Sequence, residues 1–309
     1  MLKFIAFRLL QFPLILAIIY LLTFALAWAA PGSPFVNERK LDPQVEKELK
    51  RQFHAEHAWE FLAYYGWQIV RHGDFGPSMN YPERSVNQLI GEALPVSLTL
   101  GLFAMLIAVP VGVGIGVMSA VRRGGLVDWI GLSVALIGIC VPSFVIASLL
   151  LGLAAWVKVL PIGGWGTIGH MILPGLALSL LPMAYITRLT RVSMLDTLGA
   201  DFVRTARAKG LGRSIVIWKH CLRNAFLPVL SYLGPAAAGT LVGSFVVEKV
   251  FTIPGLGQHF VNAVQNRDQT LILGVVLVES VLLLVFNLLV DVAYAWVDPR
   301  IDVTAVNAT

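Results

Sequence analysis

Six apolar runs, Leu9–Ala30, Leu94–Val121, Val127–Val157, Ile172–Thr190, Phe226–Val247 and Leu271–Val297, leave this chain few folds to choose from. At 1.5 Å per helical residue each run is about long enough to cross a hydrocarbon layer of about 30 Å. Inside lipid every backbone amide and carbonyl must be satisfied within the protein, which favours helices for long runs with no strand alternation. The expectation is an all-α membrane protein with six transmembrane helices. Composition agrees: 57% of the residues are hydrophobic and 13% charged, against about a quarter charged in a soluble domain. Leu9–Ala30 exceeds the roughly 7–15-residue apolar core of a signal peptide, so residues 1–30 are expected to hold a short polar start and the first crossing.

The polar intervals set orientation. Lys3 and Arg8, then Arg122 and Arg123, then the cluster from Arg188 to Arg223, and Arg300 fall on one side of a six-crossing topology. Excess Lys and Arg in short loops marks the cytoplasmic face, which places both termini there. Residues 31–91 form a long segment on the other face. LDPQVEKELKRQF has helical periodicity from Leu41 to Phe53 and Gly73–Pro82 is rich in turn formers, so a small periplasmic cap between the first two crossings is expected. His54 and His57 do not have the spacing of the zinc hydrolase motif, and no metal site is expected. A net charge of +5 is spent on the flanks of apolar runs, so nucleic acid is not an expected partner. Cys140 and Cys221 lie at different depths and are expected to stay unpaired.

The interval DFVRTARAKGLGRSIVIWKHCLRNAFLP, Asp201 to Pro228, is basic and helix-prone. Asp201 can cap a short helix with Phe202 and Ala206 on one face, and Gly210 can stop it before a second helical piece. Composition alone leaves two readings open: a solvated juxtamembrane helix near anionic head groups, or a docking element for another protein.

Resemblance separates them. RTARAKGL followed by RNAFLP is similar to the cytoplasmic coupling loop of ABC importer permeases. LAWAAPGSPF, HGDFGPS, PVSLTLG, CVPSFV, LPIGGW, ILPGLALSL, VFTIPGLGQHFVNAVQNRD and VDVAYAWVDPRI occur in the order found in the B-subunit branch of oligopeptide and dipeptide importers. The chain departs from the general loop pattern at Arg204 and Thr205, where glutamate and alanine are usual, and in the distance from Gly210 to Pro228. The resemblance implies the type I importer permease fold over residues 92–297, a coupling loop at 191–225 and a cytoplasmic tail at 298–309. It also implies a multi-pass inner-membrane subunit that helps carry peptides, oligopeptides first, into the cytoplasm. Dipeptides, glutathione or nickel chelates are the alternative cargoes. The implied partners are a homologous second permease, two ATPase subunits that bind ATP and magnesium, and a periplasmic or lipid-anchored peptide-binding protein. Arg204, Thr205, Ala206, Arg207, Ala208, Lys209, Gly210, Leu211 and Arg213 would contact the ATPase, and Pro254, Gly255 and Gly257 would lie at the periplasmic gate. No cofactor is implied for this chain.

The residues carry no catalytic motif. A phosphate-binding loop needs Gly-Lys, and no glycine here is followed by lysine; no G-x-S-x-G elbow occurs either. A non-catalytic subunit is therefore expected, and an ion-coupled secondary transporter is the other class that remains. Glu279, Asn287 and Asp291 lie within the last run, where a charge at mid-bilayer costs at least about 2.5 kcal/mol, so they should face protein or water. Glu279 can line the pathway or be a structural carboxylate. Asp291 and Asp298, seven apart, are expected to pair with Arg188 and Arg191. Glycines 112, 114 and 116 should allow close helix packing. Beyond Pro254–Gly257, Leu256, Phe260, Val261 and Val264 should form a short apolar face.

Overall fold

The computed structural model describes residues 2–32, 42–81 and 83–297, so Asp298, Arg300, the tail 298–309 and the part 33–35 of the LAWAAPGSPF stretch lie outside the described residues. Five helices are long and apolar enough to cross a bilayer: α1 (Leu2–Ala29), α4 (Val86–Val121), α7 (Ile168–Leu198), α11 (Leu227–Val250) and α13 (Gln269–Val297). Helix α4 starts eight residues before the expected run and inside the 31–91 segment. A capping box moves its start: the Ser85 hydroxyl accepts the Gln88 amide and the Gln88 side chain accepts the Ser85 amide.

The run Val127–Val157, expected as one span, is two helices, α5 (Leu126–Cys140) and α6 (Ser143–Val157), that meet at 106°. Proline has no amide hydrogen and pushes the preceding residue out of the helical region, and Val141 before Pro142 is extended at φ −95°, ψ 121°. Each half is about 22 Å long, too short to cross alone. The two ends of the pair nonetheless reach opposite ends of the bundle. Asp128, in the first turn of α5, holds Arg191 near the C-terminus of α7, whereas Gly164, beyond α6, donates its amide to the Phe251 carbonyl just past α11 at 2.9 Å. Counted as one broken crossing, the pair brings the spans among the described residues from five to six.

Even parity returns the chain to its starting side, as Arg8 of α1 and Asp291 of α13 show by meeting at 3.3 Å. The end of the bundle that carries residues 201–225 is hereafter the loop end, and the opposite end the far end. At the loop end an apolar core collects Val117, Ile186, Met194, Val203, Val216 and Cys221. Towards the far end a second gathers Leu100, Ala147, Leu178, Val247 and Phe251.

Small residues let α4 and α7 approach. A Cβ on Gly112 would lie 2.9 Å from the Met183 carbonyl oxygen, and one on Gly116 2.6 Å from Thr190 Cβ and 2.7 Å from the Thr187 carbonyl oxygen. The Thr187 hydroxyl donates to the Gly112 carbonyl at 3.2 Å. Gly114, two residues from each and so on another face, has open space around it. Gly116→Val is therefore expected to reduce recovery of folded, monodisperse protein by size-exclusion chromatography at least fivefold, with Gly114→Ala near the parent.

At the far end α2 (Pro43–Gln52) and α3 (Ala58–His72) cover the ends of α1 and α13. The Asp42 side chain accepts the Gln44 amide at 2.9 Å and starts α2. Phe61 and Tyr65 of α3 pack with Phe24 and with Leu273 of α13, and the Tyr65 hydroxyl donates to the Thr270 carbonyl at 2.8 Å. His54 lays its ring on Tyr64, centroids 4.0 Å apart.

Candidate functional site

The basic interval folds as α8 (Asp201–Ala208), a short turn, then a continuous helical path through α9 (Arg213–Ile215), a π-helical segment Val216–Cys221 and α10 (Leu222–Ala225) into α11. Asp201 is the first helical residue rather than the cap, a place taken by Ala200. At the other end of α8 the Gly210 amide bonds the Arg207 carbonyl at 2.9 Å and the Leu211 amide the Ala206 carbonyl at 3.3 Å. That is the paired closure of a Schellman motif, and it needs the positive φ of +76° that glycine adopts freely. The buried face is Val203 with Ala206, not Phe202 with Ala206: residues three and four before Ala206 flank it on opposite sides of the helix, and the bundle packs on the Val203 side, leaving Phe202 exposed.

The wider π turn explains how the return path meets that face. Five residues on an α-helix are about 140° apart, yet Val216 and Cys221 are both buried against Val203, Met194 and Ala225. An i→i+5 turn brings them round together. Burial pushes the Cys221 thiol up, with the Arg207 guanidinium opposing. Outside this packed seam, Arg204, Thr205, Arg207, Ala208, Lys209, Gly210, Leu211 and Arg213 are exposed. Among the described residues Arg204 pairs with Asp201 alone, at 3.5 Å and in solvent, a contact of little worth. The loop is thus a charged rim on a rigid base shared by α7 and α11.

At the far end Pro254, Gly255 and Gly257 form the turn into α12 (Leu256–Asn266). A residue overlooked in the sequence fixes it: Glu248 of α11, with 0% exposure. One carboxylate oxygen accepts the Ser97 hydroxyl of α4 at 2.7 Å and the other the Gly257 amide at 2.8 Å. The Ser97 oxygen in turn accepts the Leu256 amide at 2.8 Å. The first two free amides of α12 are thereby satisfied by groups from α11 and α4. A Cβ on Gly255 would lie 2.3 Å from the Glu248 oxygen, and one on Gly257 2.2 Å from Phe245 Cα. Leu256, Phe260 and Ala263 supply the packed face, while Val264 is exposed. Burial holds the His259 imidazole below the usual histidine range, Arg84 adding to the shift and Glu92 opposing it. Asp268, also overlooked, starts α13: it accepts the Leu271 amide at 3.0 Å and the Thr270 hydroxyl at 2.9 Å. It also accepts the Ser78 hydroxyl, tying down residues 78–80.

The polar residues of α13 do not form one site. Asn287 and Asp291 line a cleft of about 230 Å³ with Arg8, Gln11 and Ser231 at the loop end. Glu279, two turns away, is half-buried and makes no ion pair among the described residues. The expected Asp291–Arg191 pair is not formed. Asp291 meets Arg8, and Arg191 donates Nε and Nη2 to the two oxygens of Asp128 at 2.6 and 2.9 Å. The sequence expectation joined charges of the fourth and sixth crossings by depth alone, whereas α5 and α1 stand beside them and supply nearer partners.

These features define a polytopic α-helical membrane protein in which a rigidly backed basic loop and a pinned turn occupy opposite ends of the same helices. Residues 112–303 match the family described as binding-protein-dependent transport system inner membrane component, and the chain belongs to it. It is 43% identical over 304 residues, 97% of this chain and 99% of the relative, to the oligopeptide transport system permease protein OppB of Haemophilus influenzae. The same identity and coverage hold for OppB of Escherichia coli. Against the dipeptide transport system permease protein DppB of Bacillus subtilis it is 43% identical over 285 residues, 92% of each chain.

Proposed function

We propose that the chain is a non-catalytic permease subunit of a peptide importer, forming half of the translocation path with a homologous second permease. A peptide-binding protein, periplasmic or lipid-anchored, delivers cargo at the far end, which faces the periplasm. Two ATPase subunits, holding ATP and magnesium, dock on residues 204–213 at the cytoplasmic loop end. The observation that carries this is the construction of the loop: its exposed charges stand on a seam in which Val203, Ala206, Val216 and Cys221 are buried together against α7. A force on the rim is therefore passed to two crossings instead of bending a flexible loop. Alternating exposure needs a bistable bundle with different docking in its two states, and α11 links the loop directly to the Pro254–Gly257 turn. Oligopeptides are the first cargo reading. Dipeptides are the second, favoured by an identity to a dipeptide permease equal to that for the oligopeptide permeases.

In vesicles holding the complete transporter, Arg207→Glu with Lys209→Glu is expected to lower ATP-driven uptake at least tenfold and to release the ATPase subunits on purification. Both residues are exposed, so recovery of the membrane subunits should be unchanged. Uptake equal to the parent would remove the docking role, and uptake that survives ATP depletion but not collapse of the proton gradient would favour an ion-coupled carrier. The peptide retained by the purified binding protein decides between the two cargoes.

A further inference from the structure

Beneath α3, between α1, α4 and α13, lies an open groove of about 600 Å³. Pro13, Leu16 and Ala17 form one wall and Leu277, Val278, Val281 and Leu282 another, with Ile69 and Val70 of α3 as its roof. Its one lining hydroxyl, on Tyr20, already donates to the Leu62 carbonyl at 2.8 Å. No hydrogen-bonding demand is left for a polar ligand. The groove begins about 12 Å along α13 from Gln269, so it lies within the hydrocarbon layer, on the side of the bilayer away from the basic loop. Beside its lining residues on α1, Leu14 and Leu21 are exposed.

Its roof is amphipathic. Trp59, Trp67 and Val70 share the exposed stripe of α3, and the Arg71 guanidinium lies 5.5 Å from the Trp67 ring centroid with no carboxylate partner among the described residues. Tryptophans at the rim of a membrane protein sit at head-group level, and a helix of this pattern lies in the interface with its basic residues towards anionic lipid. The size of the groove decides the class of occupant. Spread over the roughly 10 Å that Pro13 to Tyr20 covers along α1, its volume is a cross-section of about 60 Å². A helix with side chains has a cross-section of about 80 Å² or more and could seat only part-way, whereas lipid chains one methylene thick fit inside, and the Arg71 charge at the rim favours an anionic head group above them.

We propose that this groove is a phospholipid site: it holds an acyl chain of an anionic lipid whose phosphate rests against Arg71 under the tryptophan rim. The test uses the full chain in vesicles containing phosphatidylglycerol or phosphatidylcholine with a photoreactive diazirine in the acyl chain, and peptide mapping of the adducts. With phosphatidylglycerol, labelling of Leu277, Val278, Val281 and Leu282 should exceed that of Leu22, an exposed α1 residue outside the groove, at least fivefold. Val281→Trp should abolish the excess. Arg71→Glu should reduce it at least threefold for phosphatidylglycerol and leave phosphatidylcholine labelling unchanged. Groove labelling no greater than at Leu22 in the unsubstituted protein, a result that needs no variant to fold, would overturn the proposal. So would cross-links from the groove to another protein chain, or an Arg71→Glu variant that labels like the parent.

Discussion

Replacing Glu248 with alanine is expected to abolish transport, lowering uptake more than a hundredfold in vesicles with the complete complex, while the basic loop stays intact. The carboxylate accepts two donors from two other elements, the Ser97 hydroxyl and the Gly257 amide, in a site with no exposure. A buried donor left without a partner costs about 1–3 kcal/mol, so the two orphaned groups together cost about 2–6 kcal/mol, and the cavity adds to it. The first turn of α12 is the structure that loses this support. Hydrogen exchange at the Leu256 and Gly257 amides should accelerate by one to two orders of magnitude, with exchange in α8 unaffected. Glu248→Gln separates charge from shape. Its carbonyl can still accept Gly257, but its NH₂ must face the Ser97 hydroxyl, which then loses its acceptor. An intermediate loss near tenfold is expected. If alanine is tolerated, or if exchange at Leu256 and Gly257 does not change, the turn is held by packing alone and Glu248 is not its anchor.

The sequence shows those parts of the molecule whose cause is local. Apolar runs locate the crossings because lipid requires every span to be predominantly apolar, and Gly210 is readable as a helix stop because only its own φ matters there. The break at Pro142 was harder: apolar residues on both sides hid a change of direction that uniform composition does not encode. Helix α4 carried its start in the Ser85–Gln88 pair, a legible capping signature, but the polar residues after it looked like more of the cap segment. The carboxylates that organise both ends were beyond reach for another reason. Glu248 and Ser97 are 151 residues apart and Asp268 and Ser78 190 apart, and nothing near Glu248 in the chain names α4 as its neighbour. Depth along a helix gives a coordinate for Arg191 and Asp291 but no azimuth, so depth alone joins the wrong charges.

That mispairing can be tested by charge reversal. Arg191 offers a planar fork to both oxygens of Asp128, the geometry that makes guanidinium–carboxylate pairs strong, and the Asp128 carboxylate also accepts the Gly124 amide at 2.9 Å. The Asp128 side chain is 5% exposed and that of Arg191 19%. Removing one member of a buried pair strands the other charge and costs about 3 kcal/mol or more, roughly a hundredfold in any equilibrium that depends on it. Asp128→Ala is therefore expected to unfasten the first turn of the broken crossing from α7, whose end leads into α8. Arg191→Lys keeps the charge but not the fork and should fall between Ala and the parent. In the complete transporter the measurement is ATP hydrolysed per peptide carried. Loosening the α5–α7 contact should raise that ratio at least tenfold in Asp128→Ala, because the loop would still receive the ATPase while its movement no longer reached α5. Asp128→Arg with Arg191→Asp should recover part of the coupling, and Asp291→Arg with Arg191→Asp none, since Asp291 stands against Arg8. Recovery in the second pair and not the first would show that α7 is tied to α13 in the working protein. An unchanged ratio in Asp128→Ala would mean that movement of the loop reaches the crossings through α11 alone.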